Sequence, residues 1–162
     1  MTKGTVYLES SVVRHYANRG SRDIVVAAYQ EITRTWWEDE LPKYDVFISQ
    51  FVLDEVARGN PEAATARMKA VAGFALLELP DQAMELAERH LAQVSIPRDS
   101  RIDAFHISVA VANGMDYIVS WNFHHIANVF VKKQIRRVND AFGLETPMIC
   151  TPEELTEGTD GQ

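Results

Sequence analysis

An α/β fold is predicted, a three-layer α/β/α sandwich with a central parallel sheet, and three observations predict it. Short apolar runs alternate with helix-length amphipathic stretches along nearly the whole chain. The runs around Thr5-Val-Tyr-Leu, Val46-Phe-Ile and Tyr117-Ile-Val are continuously apolar rather than alternating, as in strands covered on both faces. Polar caps, Pro or Gly stand at most junctions between them. Crossovers in such a sheet are right-handed, and the ligand site lies beyond the carboxyl ends of the strands.

Taken in order, Thr5 to Glu9 reads as a buried strand, with Ser10 and Ser11 as caps for a helix through Val12, Val13 and Tyr16. Asp23 to about Glu40 is a long amphipathic helix with Ile24, Ala27, Ala28, Ile32 and Trp36 on one face, ended by Pro42. Val46 to Ser49 is the second strand, and Ser49 can cap the helix Gln50–Arg58, which stops at Gly59-Asn-Pro. Pro61 starts a helix to about Ala72. Phe74 to Leu79 is the third strand, closed by Pro80, and Asp81 caps a helix to about Val94. After Ile96-Pro-Arg comes a helix from Ile102 to Ala112 that is apolar on nearly every side, ended by Asn113-Gly114. Tyr117 to Ser120 is the fourth strand, Asn128 to Phe142 a helix, and Pro147 to Cys150 a short fifth strand. Thr151-Pro-Glu-Glu caps a last turn.

A chain of 162 residues forms one domain with one sizeable core, expected over 1–154, with 155–162 as a flexible acidic tail. The single Cys150 excludes an internal disulfide and a cysteine-rich zinc site, and fits a reducing compartment. No stretch reaches the length of a membrane span, and Met1-Thr-Lys-Gly runs straight into a strand pattern, so a cytoplasmic protein with no membrane partner is expected. A net charge of −7 argues against non-specific coating of nucleic acid but not against nucleic acid as a substrate. The Glu9-Ser-Ser sequence after the first strand excludes a glycine-rich dinucleotide turn and a P-loop.

Beyond the carboxyl ends of the strands stand Glu9, Ser49, Asn122 and Thr151-Pro152, and the candidate site residues are Glu9, Glu55, Asp103 and Asn122. Glu9 closes the first strand. Glu55 lies with Phe51 and Val52 on the core side of its helix, while Asp54 lies with Gln50 and Arg58 on the solvent side. Asp103 opens the apolar helix, on one face with His106, Ile107 and Ala110. Asn122 follows Ser120-Trp121 at the tip of the fourth strand. Each has a plainer explanation: Glu9 as a solvated acid beside a helix N-terminus, Asp103 as the acid of a Ser100-x-x-Asp103 capping box, His106 as a core histidine, Asn122 as a cap. Together they set carboxylates and an amide at one edge of one sheet. Adjacent carboxylates repel unless a cation lies between them. Hard oxygen donors favour magnesium or manganese, and an ion so held activates water against a phosphodiester.

The segments Val6-Tyr-Leu-Glu-Ser-Ser-Val12, Ser49-Gln-Phe-Val-Leu-Asp-Glu-Val56, Asp103-Ala-Phe-His-Ile-Ser-Val-Ala110 and Tyr117-Ile-Val-Ser-Trp-Asn122 resemble, in order and spacing, the PIN domain, and in particular the VapC-like toxins of type II toxin–antitoxin systems. The resemblance extends from Thr5 to about Glu154. It implies a metal-dependent endoribonuclease with catalytic positions at Glu9, Glu55, Asp103 and Asn122, Mg2+ or Mn2+ held by Glu9, Glu55 and Asp103, an RNA substrate, an antitoxin partner and a homodimer. Two positions depart from the family pattern: Glu9 and Asn122 stand where aspartates are usual. They keep open the alternative of a catalytically silent PIN-like module that binds RNA or a protein.

Lys132, Lys133, Arg136 and Arg137 cluster on one helix, as a phosphate-steering patch or, more simply, a solvated face. Arg98 and Arg101 flank the apolar helix where they can meet substrate. His124-His125 lacks a second pair at zinc-ligand spacing. Trp36, Trp37 and Trp121 are expected in the core or at a partner contact, with Trp36-Trp37 the candidate dimer residues.

Overall fold

The apolar runs of the sequence form five strands of one parallel sheet, in the order β3-β2-β1-β4-β5. These are β1 (Thr5–Leu8), β2 (Asp45–Ile48), β3 (Ala75–Leu76), β4 (Tyr117–Val119) and β5 (Met148–Cys150). The computed structural model describes residues 2–97, 100–122 and 125–157. Within them lie the helices α1 (Ser10–Ala17), α2 (Ile24–Asp39), α3 (Gln50–Val56), α4 (Pro61–Val71), α5 (Asp81–Gln93), α6 (Arg101–Ala112) and α7 (Val129–Ala141). Helices α1, α2 and α4 pack together, as do α5, α6 and α7, and α3 touches α1, α4 and α6. The sheet between these groups carries the core: Val6, Tyr7, Leu8, Ile48, Ile118 and Val119 are buried. No helix among the described residues is long and apolar enough to cross a membrane.

The strand order decides where the site lies. The chain builds outward from β1 through β2 to β3, then returns to pair β4 on the other side of β1. Beyond the carboxyl ends of β1 and β4 is therefore the point where connections diverge, the preferred crevice of open parallel sheets. Register there is fixed from both ends. At the amino ends, Thr5 N donates to Asp116 Oδ2 at 2.9 Å and Asp116 N donates to Thr5 Oγ1 at 2.9 Å. At the carboxyl ends, Leu8 pairs with Val119, and Glu9 N donates to the Val119 carbonyl at 3.1 Å.

Several local expectations are corrected. The third strand shrinks to Ala75–Leu76, exposed at the sheet edge. Leu77 N still donates to the Ile48 carbonyl at 2.8 Å, but pairing on one side only sustains no more than a short strand. On α2 the inward positions are Gln30, Thr33 and Trp36, while Ile24 is 86% exposed. Gln30 can face inward because Ser21 N donates to its Oε1 and its Nε2 donates to the Arg19 carbonyl. Thr33 can because its hydroxyl donates to the Tyr29 carbonyl and accepts from Trp121 Nε1. Asp81 is the first residue of α5, with Pro80 at the cap position. Asp54, by contrast, lies on the exposed side of α3 as expected, where its Oδ1 accepts from Gln50 Nε2 at 2.9 Å.

The last turn is capped reciprocally, as expected. Thr151 N donates to Glu154 Oε1, and Glu154 N donates to Thr151 Oγ1. The chain still packs past 154: Leu155 lies against the core, and its carbonyl accepts from Trp36 Nε1 at 2.8 Å.

Candidate functional site

Glu9 leaves β1 in extended conformation and becomes the cap of α1, a task expected of the serines. Its Oε2 accepts from Ser11 N at 2.8 Å. Its Oε1 accepts from the hydroxyls of Ser11 at 2.6 Å and Ser120 at 2.5 Å. Each serine also receives a backbone N–H from the far strand tip: Trp121 N donates to Ser11 Oγ and Asn122 N to Ser120 Oγ, both at 2.9 Å. One buried glutamate thus ties the end of β1 to the end of β4 through two hydroxyls. The extra methylene relative to aspartate lets its oxygens reach both.

Glu55 is turned inward on α3, as its neighbours Phe51 and Val52 predict. Its Oε1 accepts from Ser10 Oγ at 2.6 Å and from Nε2 of His106. Burial pushes this carboxyl up, but the hydrogen bond and charge of His106, then Ser10 and Arg14, hold it below the usual value. His106 is wholly buried, and its other ring nitrogen lies 2.5 Å from the Tyr7 hydroxyl. That hydroxyl in turn lies 2.8 Å from Ser49 Oγ. Ser49 stands at the cap position of α3 but makes no side-chain cap bond there. Burial raises the Tyr7 phenol well above its ordinary value, so it remains an O–H group.

Asp103 does not form the capping box that Ser100-x-x-Asp103 suggests. Ser100 makes no side-chain cap bond, and its hydroxyl is 2.9 Å from His125 Nδ1. Asp103 instead turns inward, 5% exposed, and its Oδ2 accepts from Asn122 Nδ2 at 3.1 Å and lies 3.2 Å from His125 Nδ1. Asn122 is held from its other end, where Oδ1 accepts from His125 N at 3.1 Å. Burial and then the charge of Glu9 push the Asp103 carboxyl up to about 6, with Glu55 adding and the two histidines, His106 and His125, opposing.

All four sequence-predicted positions therefore come to one region, joined through serines, an amide and two histidines. Among the described residues, no three His, Cys, Asp or Glu side chains are gathered closely enough to hold a metal ion as they stand. The chemistry of the donor set nonetheless suits a hard divalent cation. Every candidate ligand is a carboxylate, burial first and then the charges of Glu9 and Glu55 raise Asp103, and no described residue donates to Asp103 Oδ1 or Glu55 Oε2. Sequence reasoning missed Tyr7, Ser11 and Ser120 as site residues, placed Ser49 at the ligand edge only as a helix cap, and left His106 as a core residue and His125 as a failed zinc ligand. The usable signal for Tyr7 was a hydroxyl on an otherwise apolar buried strand.

Arg98 and His124 lie outside the described residues, and Arg101 is exposed at the start of α6. Lys132, Lys133 and Arg136 line a groove of about 270 Å³ with Val129, Pro147 and Met148, between α7 and the edge strand β5. Trp36 is 2% exposed and cannot present its ring to a partner, and Trp37 is stacked on Tyr16 at 4.0 Å. Trp121 is buried, as expected of a core residue.

No protein-family model and no curated protein sequence matches this chain. Among solved structures, VapC20 of Mycobacterium tuberculosis, a toxin that cleaves the sarcin–ricin loop, superposes with a TM-score of 0.56 at 20% identity. The match covers 78% of this chain and 96% of that one. The chain thus has the PIN-like fold of a VapC toxin, an α/β/α domain built on a five-stranded parallel sheet.

Proposed function

We propose that this protein is a divalent-metal-dependent endoribonuclease, the toxin of a toxin–antitoxin pair acting on RNA in the cytoplasm. The observation that carries the reading is Asp103, a carboxylate buried at the switch point of the sheet and raised to about 6 by burial and by the charges of Glu9 and Glu55. Such an excess of negative charge is what a cation relieves. Glu9, Glu55 and Asp103 are the residues that would hold it. A bound Mg2+ or Mn2+ supplies an activated water and a clamp for a phosphoryl oxygen. The chain's own contribution is placement. Ser11 and Ser120 fix Glu9, Ser10 and His106 fix Glu55, and Asn122 fixes Asp103 while being fixed by His125. His125, with its side chain 30% exposed, stands at the solvent side of this group, where an RNA phosphate would arrive. The protein partner on this reading is an antitoxin segment that covers the acids, and the active form is a homodimer.

The test is cleavage of RNA by the purified protein with Mn2+ or Mg2+ against EDTA, together with growth on expression in a bacterial host. Cleavage and growth arrest are expected, both lost in Asp103→Asn. Metal-independent cutting, or arrest that survives Asp103→Asn, would sink the mechanism.

One observation favours a second reading, a silent module that binds RNA or protein without cutting. Asn122 directs its NH2, not its oxygen, at Asp103, so the fourth position neither adds charge nor offers a free ligand oxygen. Wild-type protein that binds RNA and leaves it intact, with cutting gained in Asn122→Asp, would establish it.

A further inference from the structure

A continuous line of buried polar groups crosses the apolar core behind Glu55: Ser49, Tyr7, His106, Glu55 and Ser10. Tyr7, His106, Ser49 and Ser10 are all wholly buried. They come from four different elements, β1, α6, the turn before α3, and α1. Buried polar groups are costly unless paired, and an apolar residue at Tyr7 or His106 would serve packing equally well. Here each group is paired, and the end of the line nearest Ser10 carries its one carboxylate, Glu55.

Hydrogen-bond chemistry fixes what that end does. A carboxylate only accepts, so His106 Nε2 carries the proton it gives to Glu55. The ring cannot swing away, because its opposite nitrogen is held at 2.5 Å by Tyr7, whose hydroxyl is held at 2.8 Å by Ser49. Phe51 packs edge-on against the same ring, with the centroids 6.3 Å apart. Both bonds to Glu55 fall on Oε1, and none from a described residue falls on Oε2.

We propose that Tyr7 and His106 are positioning residues that anchor one oxygen of Glu55 and leave the other presented to the divalent cation. The proposal rests on the metal-nuclease reading, and it assigns a role to two side chains that touch neither ion nor RNA. An unanchored Glu55 would sample several rotamers, and ion affinity would fall by the fraction of time spent in the wrong ones.

The two nitrogens of the ring can be tested separately, because a glutamine amide reaches the position of Nε2 and an asparagine amide that of Nδ1. Mn2+ binding is measured by calorimetry on the full chain for wild type, His106→Gln, His106→Asn and Tyr7→Phe, with thermal melts alongside. His106→Gln should keep affinity within about threefold. His106→Asn should lose tenfold or more, and Tyr7→Phe a few-fold. A residue needed only for packing would lower both amide variants' melting points and leave their Mn2+ affinities alike; that outcome overturns the proposal.

A second readout separates this failure from that of the nuclease reading. The His106 Nε2–H proton should give a slowly exchanging downfield NMR signal in metal-free protein, retained in Tyr7→Phe and lost in Glu55→Gln. Absence of the signal overturns the anchoring itself. A clear signal in a wild type that binds no Mn2+ overturns the nuclease reading, and with it the purpose assigned to the anchor.

Discussion

Asn122 gives its side-chain amide to Oδ2 of Asp103 at 3.1 Å, bridging the tip of β4 to the first turn of α6. The neutral residue at this position is thus a donor to an acid that already suffers two like charges. Asn122→Asp replaces that donor with a third repelling carboxylate. In EDTA at pH 8 the variant should be less stable by about 1–3 kcal/mol, or roughly 2–4 °C in melting temperature for each kcal/mol. Mn2+ should recover more of the loss in the variant than it adds to wild type. Melts with and without the ion check this, and an unchanged melting point in EDTA would contradict it.

Two buried groups act on stability in opposite directions over the same pH range. Asp103 is raised from 3.8 to about 6 in the folded chain. Its contribution is fully present below pH 3.8 and is lost as pH rises through about 6, on the order of 3 kcal/mol. His90 is lowered from 6.5 to about 4, by burial, with Asn139 opposing. Its contribution is present above pH 6.5 and is lost as pH falls toward 4, again on the order of 3 kcal/mol. The two slopes offset between pH 4 and 6. Asp103→Asn should therefore be more stable than wild type near pH 8, and its stability should climb from pH 4 to 6.5 where the wild-type profile is flatter. Urea unfolding across this range is the measurement, and parallel profiles for the two proteins would refute the assignment.

These residues also show what could be read from the sequence. Alternation of apolar runs and helices gave the layers, and apolar residues on nearly every side of α6 gave its burial, because both are properties of neighbouring positions. The partners of Asp103 were not legible. Ser100 supplied a complete local explanation three residues away, yet its hydroxyl goes to His125, twenty-five positions on. The inward face of α2 was legible only in part for the same reason: Trp36 is buried and Ile32 packs half-buried against the core, but Ile24 is exposed. Gln30 and Thr33 count as solvent-seeking until the Arg19 carbonyl and the Trp121 indole are known to meet them. Glu9, Glu55 and Asp103 were recognisable as acids in strategic places; the serines and histidines that hold them were not, since no spacing rule marks such residues.

His90 belongs to a second buried polar group, away from the acids. Its Nε2 is 2.9 Å from Asn139 Oδ1, its Nδ1 is 3.1 Å from Ser108 Oγ, and Asn139 Nδ2 donates to Thr146 Oγ1 at 2.8 Å. This joins α5, α6 and α7 to the segment before β5. Asn139→Ala leaves a ring nitrogen and a hydroxyl unpaired and should cost about 2–4 kcal/mol in urea unfolding. RNA cleavage per folded molecule should stay at the wild-type level.

Cys150, at the end of β5, is 8% exposed, and burial pushes its thiol up to about 12. It should resist alkylation by iodoacetamide at pH 8 in the folded protein and react readily in urea. Mass spectrometry of the two samples reads the difference, and rapid native labelling would contradict the burial of this strand.

Glu9 caps α1 and fastens two strand tips with the very oxygens a cation would seek. On the metal-nuclease reading proposed above, an ion taken up at this acid would have to displace hydroxyl partners as coordination is gained. A firmer scaffold around Glu9 would then weaken its hold on an ion, and a looser one would tighten it.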